Sequence, residues 1–166
     1  MLSLSEATRV LAAAEEKAIS VGRPMNLCVV DEGGHLVAHI RMDGAWKGGV
    51  DLAARKAYTA CALEMQTKDL VNLTRAGEDC AGIAGSNHER LIVAAGGIPL
   101  RRNGRIMGAI GVSGGMGNQD QTVAEAAARA YTNELGNGQH REHSPQEYQP
   151  AAFGQKVLSR SVEERQ

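Results

Sequence analysis

Apolar residues recur along the first 22 positions at the spacing of a helix that is buried on one side. The repeating positions are Leu4, Ala7, Leu11, Ala14 and Ala18. Ser3 and Glu6 precede and open this stretch, three residues apart, in the pattern of a capping box. Gly22 stops the helix and Pro24 cannot continue it. The pattern therefore predicts a helix that begins after Ser3 and ends at Gly22.

Further along, the periodicity changes from helical to strand-like. Five segments are predicted strands: 25–31, 35–42, 90–95, 98–102 and 105–113. Tight turns join the first two strands at Glu32-Gly33-Gly34 and the last two at Asn103-Gly104, and Asn-Gly is a strong hairpin signal. Three more predicted helices cover 50–65, 67–75 and 119–135, the last capped by Asn118 or Asp120. The order predicts an α/β (α+β) fold with a five-stranded antiparallel sheet flanked by helices.

All of these elements fall within residues 1–135, which we expect to form one domain. Residues 136–166 are polar and contain Pro145 and Pro150. We expect this segment to be an extended C-terminal arm that docks on the body or on a neighbouring subunit.

Charge and cysteine content narrow the classes of function. The 18 basic and 19 acidic residues give a net charge of −1, and no basic block stands out, so nucleic acid and membrane surfaces are not expected partners. No apolar run reaches the roughly 20 residues of a spanning helix, and the first residues lack the pattern of a signal peptide. The 3 cysteines contain no CxxC pair, which disfavours a zinc site built on cysteines. A reducing cytoplasm is the expected location.

Several segments together resemble the GlcG/HbpS-like family, which includes the C-terminal domain of PduO-type cobalamin adenosyltransferases. They are VVDEGGHLVAHIRMDGA, DLAARKAYTA, GGIPLRRNGRIMGAIGVSGG and QDQTVAEAAA. The resemblance covers roughly residues 3–135. It implies a profilin-like fold, homo-oligomers, haem as a cofactor, and a place in small-molecule catabolism. The resemblance also implies a histidine of the first helix near the haem in some relatives, and this chain has no histidine before His35.

The glycine-rich loop that follows the last strand is one candidate ligand site. Backbone N–H groups around Ser113, Gly114 and Gly115, with the helix that follows, form a pattern that favours a carboxylate or phosphate. The competing interpretation is that these glycines only let the chain turn a corner close to a helix.

Four side chains are candidates for binding haem or for catalysis. His39 and Arg41 share one face of a strand, where the imidazole is a candidate metal ligand and the guanidinium a candidate carboxylate clamp. His88 lies at the end of a small-residue loop and is a second candidate metal ligand. Lys56, in the central helix, either reaches an anionic ligand or pairs with Asp43 or Asp51. The competing interpretations assign no function to these side chains: His39 is half-exposed, His88 is solvated, and Lys56 forms a structural ion pair.

Two functions of different classes follow from these candidates. In the first, the protein is a cytoplasmic oligomeric binding protein for haem or a similar planar, acid-bearing ligand. His39 or His88 then ligates the iron, and Arg41 and Lys56 neutralise the ligand's acid groups. In the second, it is a small cofactor-free enzyme of carboxylic-acid catabolism, with His39 or His88 as general acid/base and Arg41 as carboxylate clamp.

Overall fold

The structure, a computed structural model, describes residues 1–75, 82–85 and 90–136, without the side chains of residues 84 and 133–136. Its elements are α1 (Leu4–Val21), β1 (Asn26–Asp31), β2 (Leu36–Arg41), α2 (Gly49–Ala62), α3 (Thr67–Leu73), a 3₁₀ turn (Ile83–Gly85), β3 (Gly97–Arg102), β4 (Arg105–Ser113) and α4 (Gly117–Gly136). The strands form one antiparallel sheet in the order β2-β1-β4-β3. The α+β class and the antiparallel sheet are therefore confirmed, and the profilin-like label stays a prediction.

Helices cover the two faces of the sheet unequally. On one face, α1 and α4 pack on a core of larger side chains that includes Leu27, Leu100 and Ile110. On the other face, α2 lies on β1, β4 and β3, with Ala53 and Ala57 in the contact. The edge strand β2 makes little contact with α2, so one side of this strand is left open. Among the helices of the described residues, none is long and apolar enough to cross a membrane.

The predicted strand at 90–95 is wrong, and the described part of the sheet has four strands rather than five. Leu91 is buried, but the segment runs beside α2 instead of joining the sheet. The backbone N–H of Ile92 donates to the hydroxyl oxygen of Thr59 on α2 at 3.0 Å. The Ile92 N–H therefore bonds a side chain of α2, whereas in a strand it would bond the backbone of a neighbouring strand.

Local signals at the ends of elements were more reliable, with one exception. Both hydrogen bonds of the Ser3–Glu6 capping box are present, and Gly22 ends α1 in the left-handed conformation. The predicted N-cap of α4 is wrong, because the helix begins at Gly117 and both Asn118 and Asp120 lie inside it. The side-chain oxygen of Gln119 instead accepts from the backbone N–H of Met116 at 3.0 Å, which satisfies a donor at the helix start.

The turn between β3 and β4 gives a first prediction. Replacing Gly104 by alanine is expected to lower the free energy of unfolding by about 1–2 kcal/mol, because an L side chain is strained in the left-handed conformation. Gly104 has a φ of +79°, and a Cβ there would meet nothing within 4 Å, so backbone strain is the whole cost. Urea denaturation measures the loss. Gly104→Asn is the matched control and should cost less, because asparagine adopts positive φ more readily; equal losses would contradict this origin.

Candidate functional site

An open cleft of about 420 Å³ lies between α2 and the hairpin of β1 and β2. We call it the α2 cleft. It is lined by Val30, Gly34, His35, Leu36, Asp51, Ala54, Arg55, Tyr58 and Arg90. Its volume falls in the range of about 300–1,000 Å³ that is typical of small-molecule sites.

The cleft exists because the edge strand extends past the helix that covers the rest of the sheet. Val30 and Leu36 are paired across β1 and β2, so their side chains lie on the same face and form the sheet side of the cleft. The helix side consists of Asp51, Ala54, Arg55 and Tyr58, at the spacing that places them on one stripe of α2. The lining of the cleft therefore combines apolar side chains from the sheet and from α2 with polar side chains of α2.

Tyr58 is the aromatic side chain of the cleft, and its ring contacts both Arg90 and Gly34. The guanidinium of Arg90 lies over the ring, 3.8 Å from its centroid, which is a cation–π contact. The Cδ2 and Cε2 atoms of the ring lie against the backbone of Gly34, where a Cβ would come within 2.7 Å of the ring. Gly34 has a φ of +76°, so a glycine there serves both the turn and the seating of the aromatic ring.

The charged side chains of the cleft favour an anion. Arg55 pairs with Asp51 one turn earlier on α2, with 2.9 Å between Nε and Oδ2. Arg90, stacked on Tyr58, adds a second guanidinium to the lining. Among the described lining residues, two guanidiniums accompany one carboxylate, and arginine binds carboxylates through paired hydrogen bonds.

An imidazole completes the cleft at the β1–β2 turn. One oxygen of Asp31 accepts from the backbone N–H groups of Gly33 and His35, each at 2.9 Å. The same oxygen lies 3.2 Å from Nδ1 of His35. These hydrogen bonds lower the pKa of Asp31, the largest contribution coming from the His35 backbone, so the carboxylate is ionised at neutral pH. The histidine ring is thereby oriented by a neighbouring carboxylate while its side chain remains 80% exposed.

His39, a predicted site residue, lies on the same face of β2 as the sheet side of the cleft. It pairs with Cys28, two positions along β1 from the Val30–Leu36 pair. Its Nε2 atom is buried and has no hydrogen-bond partner. Burial lowers the pKa of His39 below its ordinary value, so the imidazole is neutral at pH 7. Arg41 is exposed at the end of the same strand, on the same face but outside the cleft lining.

Lys56 and the glycine loop form a second, buried arrangement. The Lys56 ammonium lies 2.6 Å from an oxygen of Asp120 and also donates to the carbonyl of Val112 at 2.9 Å. The other oxygen of Asp120 accepts from the N–H of Gly115 at 2.8 Å. Burial raises the pKa of Asp120 against the lowering effect of Lys56 and the loop amides. Lys56 thus pairs with neither Asp43 nor Asp51.

The predicted anion site at Ser113, Gly114 and Gly115 is accordingly bound to the chain's own groups. The Gly115 amide donates to Asp120, and the Ser113 carbonyl accepts from the side chain of Asn26 at 3.4 Å. Gly114 has a φ of +153°, and a Cβ there would lie 2.8 Å from backbone atoms of Pro24 and Met25. The geometry corresponds to the corner interpretation of this loop.

The predicted site residue His88 lies outside the described residues, two positions before Arg90. Four residues that line the cleft were not assigned to a site by sequence analysis. The missed residues are His35, Arg55, Tyr58 and Arg90. A signal existed for Arg55 and Tyr58, because they share a helical stripe with Asp51. A polar stripe on a helix is equally typical of a solvated surface, however, so it does not by itself indicate a site.

Comparison with known proteins places these features in a wider group. Residues 2–129 match the family model of HbpS-like proteins, described as "Haem degrading protein HbpS-like". A 15.0 kDa protein encoded between dhaT and dhaS in Citrobacter freundii is 35% identical over 131 residues, 79% of this chain and 92% of that protein.

Two crystal structures are similar in both sequence and fold. The Klebsiella pneumoniae protein ORFY superposes with a TM-score of 0.77 at 34% identity, covering 78% of this chain and 90% of its own. The complex of PduOC with haem superposes with a TM-score of 0.76 at 30% identity, covering 78% of this chain and 94% of its own. The curated corrinoid adenosyltransferase PduO of Citrobacter freundii is matched over only 38% of its length.

Proposed function

The chain belongs to the HbpS-like family, and on that premise we propose that it binds haem in the α2 cleft. A relative of the same fold forms a complex with haem. The observation that carries the proposal is the cleft itself, which brings two guanidiniums, a phenol ring and an imidazole to apolar walls.

The lining residues suit the two kinds of surface that haem presents. Leu36 and Ala54 offer apolar contact to the macrocycle, and the Tyr58 ring with Arg90 stacked on it forms a preformed side of the cleft. Arg55 and Arg90 suit the propionate carboxylates, which they would bind by charge-assisted hydrogen bonds. In this proposal Lys56 is a structural residue, because its charge is already matched by Asp120.

Bound haem supplies an iron centre for redox and ligand-binding chemistry. The residues of this chain bind and orient the group. The seating of Tyr58 against Gly34 and under Arg90 fixes one wall before the ligand arrives, which reduces the ordering that binding requires. Because the cleft is open, one edge of the macrocycle would remain in contact with solvent.

We propose further that the protein is a cytoplasmic homo-oligomer. The edge strand β2 and large exposed apolar side chains support self-association; these side chains include Leu36, Trp46 and Met116. Cys28 and Cys61 are free thiols, which suits a reducing compartment. Size-exclusion chromatography tests the assembly, and elution at the mass of one chain, 17.5 kDa, would contradict it.

Haemin titration followed by absorbance tests the binding proposal. We expect a saturable Soret shift, and we expect Arg55→Gln and Arg90→Gln each to weaken binding about tenfold, the loss of one hydrogen bond to a charged group. Arg9→Gln is the matched control, because Arg9 lies on α1 across the sheet and bonds Ser5 within that helix. Arg41→Gln tests the predicted carboxylate clamp in the same series.

Absence of a saturable shift in the wild-type protein would overturn haem binding. The second candidate function, a cofactor-free enzyme acting on a small carboxylic acid, then becomes the one to test. It is favoured by the neutral His39, whose Nε2 has no hydrogen-bond partner, and by Arg41 on the same face of β2. Calorimetric titration with small mono- and dicarboxylates, repeated on His39→Ala and Arg41→Gln, tests it.

A further inference from the structure

His35 lines the α2 cleft, and its Nδ1 atom lies at hydrogen-bond distance from a carboxylate. A carboxylate only accepts hydrogen bonds. The 3.2 Å contact between Asp31 and Nδ1 therefore places the ring proton on Nδ1. The Nε2 lone pair then belongs to a side chain that is 80% exposed. A histidine whose Nδ1–H is held by a carboxylate is a common arrangement at metal sites, because the partner fixes the tautomer and increases ligand basicity.

The two glycines before His35 make this arrangement possible. A Cβ on Gly33 would lie 2.7 Å from ring atoms of His35, and a Cβ on Gly34 would lie 2.7 Å from the ring of Tyr58. The turn therefore leaves room for an imidazole and a phenol ring side by side at the cleft. Asp31 orders the same turn through its bonds to the backbone of Gly33 and His35.

We infer that His35 is the residue that would ligate the haem iron and that Asp31 is the residue that orients it. The inference rests on the proposed function, since it assigns roles within the same cleft. It differs from the sequence-based assignment of His39. The Nε2 atom of His39 is enclosed by protein and would have to be uncovered before it met an iron, whereas His35 lines the cleft directly.

Spectroscopy of the full chain loaded with ferric haemin tests the inference. We expect absorbance and electron paramagnetic resonance spectra of histidine-ligated haem in the wild type and in His39→Ala. In His35→Ala we expect loss of that signature, with affinity at least tenfold weaker, and free imidazole should restore the spectrum. Asp31→Asn keeps an oxygen acceptor for the turn but removes the charge. It should retain haem and raise the Fe(III)/Fe(II) midpoint potential, because a less basic imidazole stabilises ferric iron less well.

The outcomes separate this inference from the proposed function. A wild-type protein without a saturable Soret shift overturns both. Saturable binding with an unchanged spectrum in His35→Ala, or with the signature lost instead in His39→Ala or His88→Ala, overturns only the assignment of His35. An unchanged potential in Asp31→Asn overturns the orienting role of Asp31. His35→Gln, compared with the wild type by circular dichroism, separates loss of the ligand from loss of the fold.

Discussion

Replacing Lys56 by methionine is expected to lower the free energy of unfolding by about 3–5 kcal/mol, the cost of leaving one partner of a buried ion pair uncompensated. The Lys56 side chain is 5% exposed and the Asp120 side chain 4%, so water cannot replace the lost partner. Asp120 also holds the Gly115 amide, and Lys56 holds the Val112 carbonyl. The substitution therefore disturbs the end of β4 and the start of α4 together. Equilibrium unfolding in urea at pH 7 measures the loss.

Two further variants distinguish burial from charge. Lys68→Met breaks a pair of similar length, 3.1 Å to Glu125, whose partners are 41% and 37% exposed. That change should cost at most about 1 kcal/mol, as surface pairs do. The double variant Lys56→Met/Asp120→Leu removes both buried charges and should recover much of the stability, since apolar replacement of a buried pair is often neutral. A loss below about 1 kcal/mol in Lys56→Met would contradict the prediction.

The features that sequence predicted well depend on residues close together in the chain. The capping box needs only Ser3 and Glu6, and the β3–β4 hairpin needs only Asn103 and Gly104, which both adopt positive φ. Such signals act within a few residues, so one sequence contains all of the information they require. For the same reason the bounds of α1 and β4 were close to those observed.

The errors arose where a distant residue decided the outcome. The segment 90–95 has a strand's composition, but the hydroxyl of Thr59, more than 30 positions earlier, takes the N–H of Ile92. One of the two interpretations of Lys56 paired it with Asp43 or Asp51, but its partner is 64 positions away. Periodicity does not encode which elements meet in space, so neither contact was available from the sequence pattern.

The candidate site was missed for a related reason. The α2 cleft joins the turn at Gly34 and His35, the outer stripe of α2 and Arg90, three separate parts of the chain. Taken alone, each part has the sequence pattern of ordinary protein surface: the turn is exposed, the helical stripe is polar, and Arg90 is a charged residue outside any helix or strand. Sequence analysis assigned His39 on the neighbouring strand β2, but it could not determine that α2 leaves this edge of the sheet open. The uncovered edge is what brings these surface groups together as a candidate site.

Replacing Gly111 by alanine is expected to destabilise the fold by about 3 kcal/mol or more, at or beyond the upper end of the usual cost of overpacking. Gly111 lies in the central strand β4, where α2 crosses it. A Cβ there would overlap the carbonyl oxygen of Ala53 and would come within 2.5 Å of the backbone nitrogen of Ala57. Both atoms belong to the backbone of α2, so no side-chain rotation relieves the contact. The whole helix must move away from the sheet, and the packing between them would be lost.

Thermal and urea unfolding of Gly111→Ala against the wild type measure this effect. The matched control is Gly48→Ala, at the start of α2, where φ is −67° and a Cβ meets nothing within 4 Å. The control should remain within about 0.5 kcal/mol of the wild type, as open surface positions do. Because Ala54, Arg55 and Tyr58 lie on the same helix, displacement of α2 should also weaken haemin binding in Gly111→Ala, even in the fraction that remains folded. A stable Gly111→Ala variant with wild-type affinity would contradict the close seating of α2 on the sheet, and with it the physical basis of the cleft.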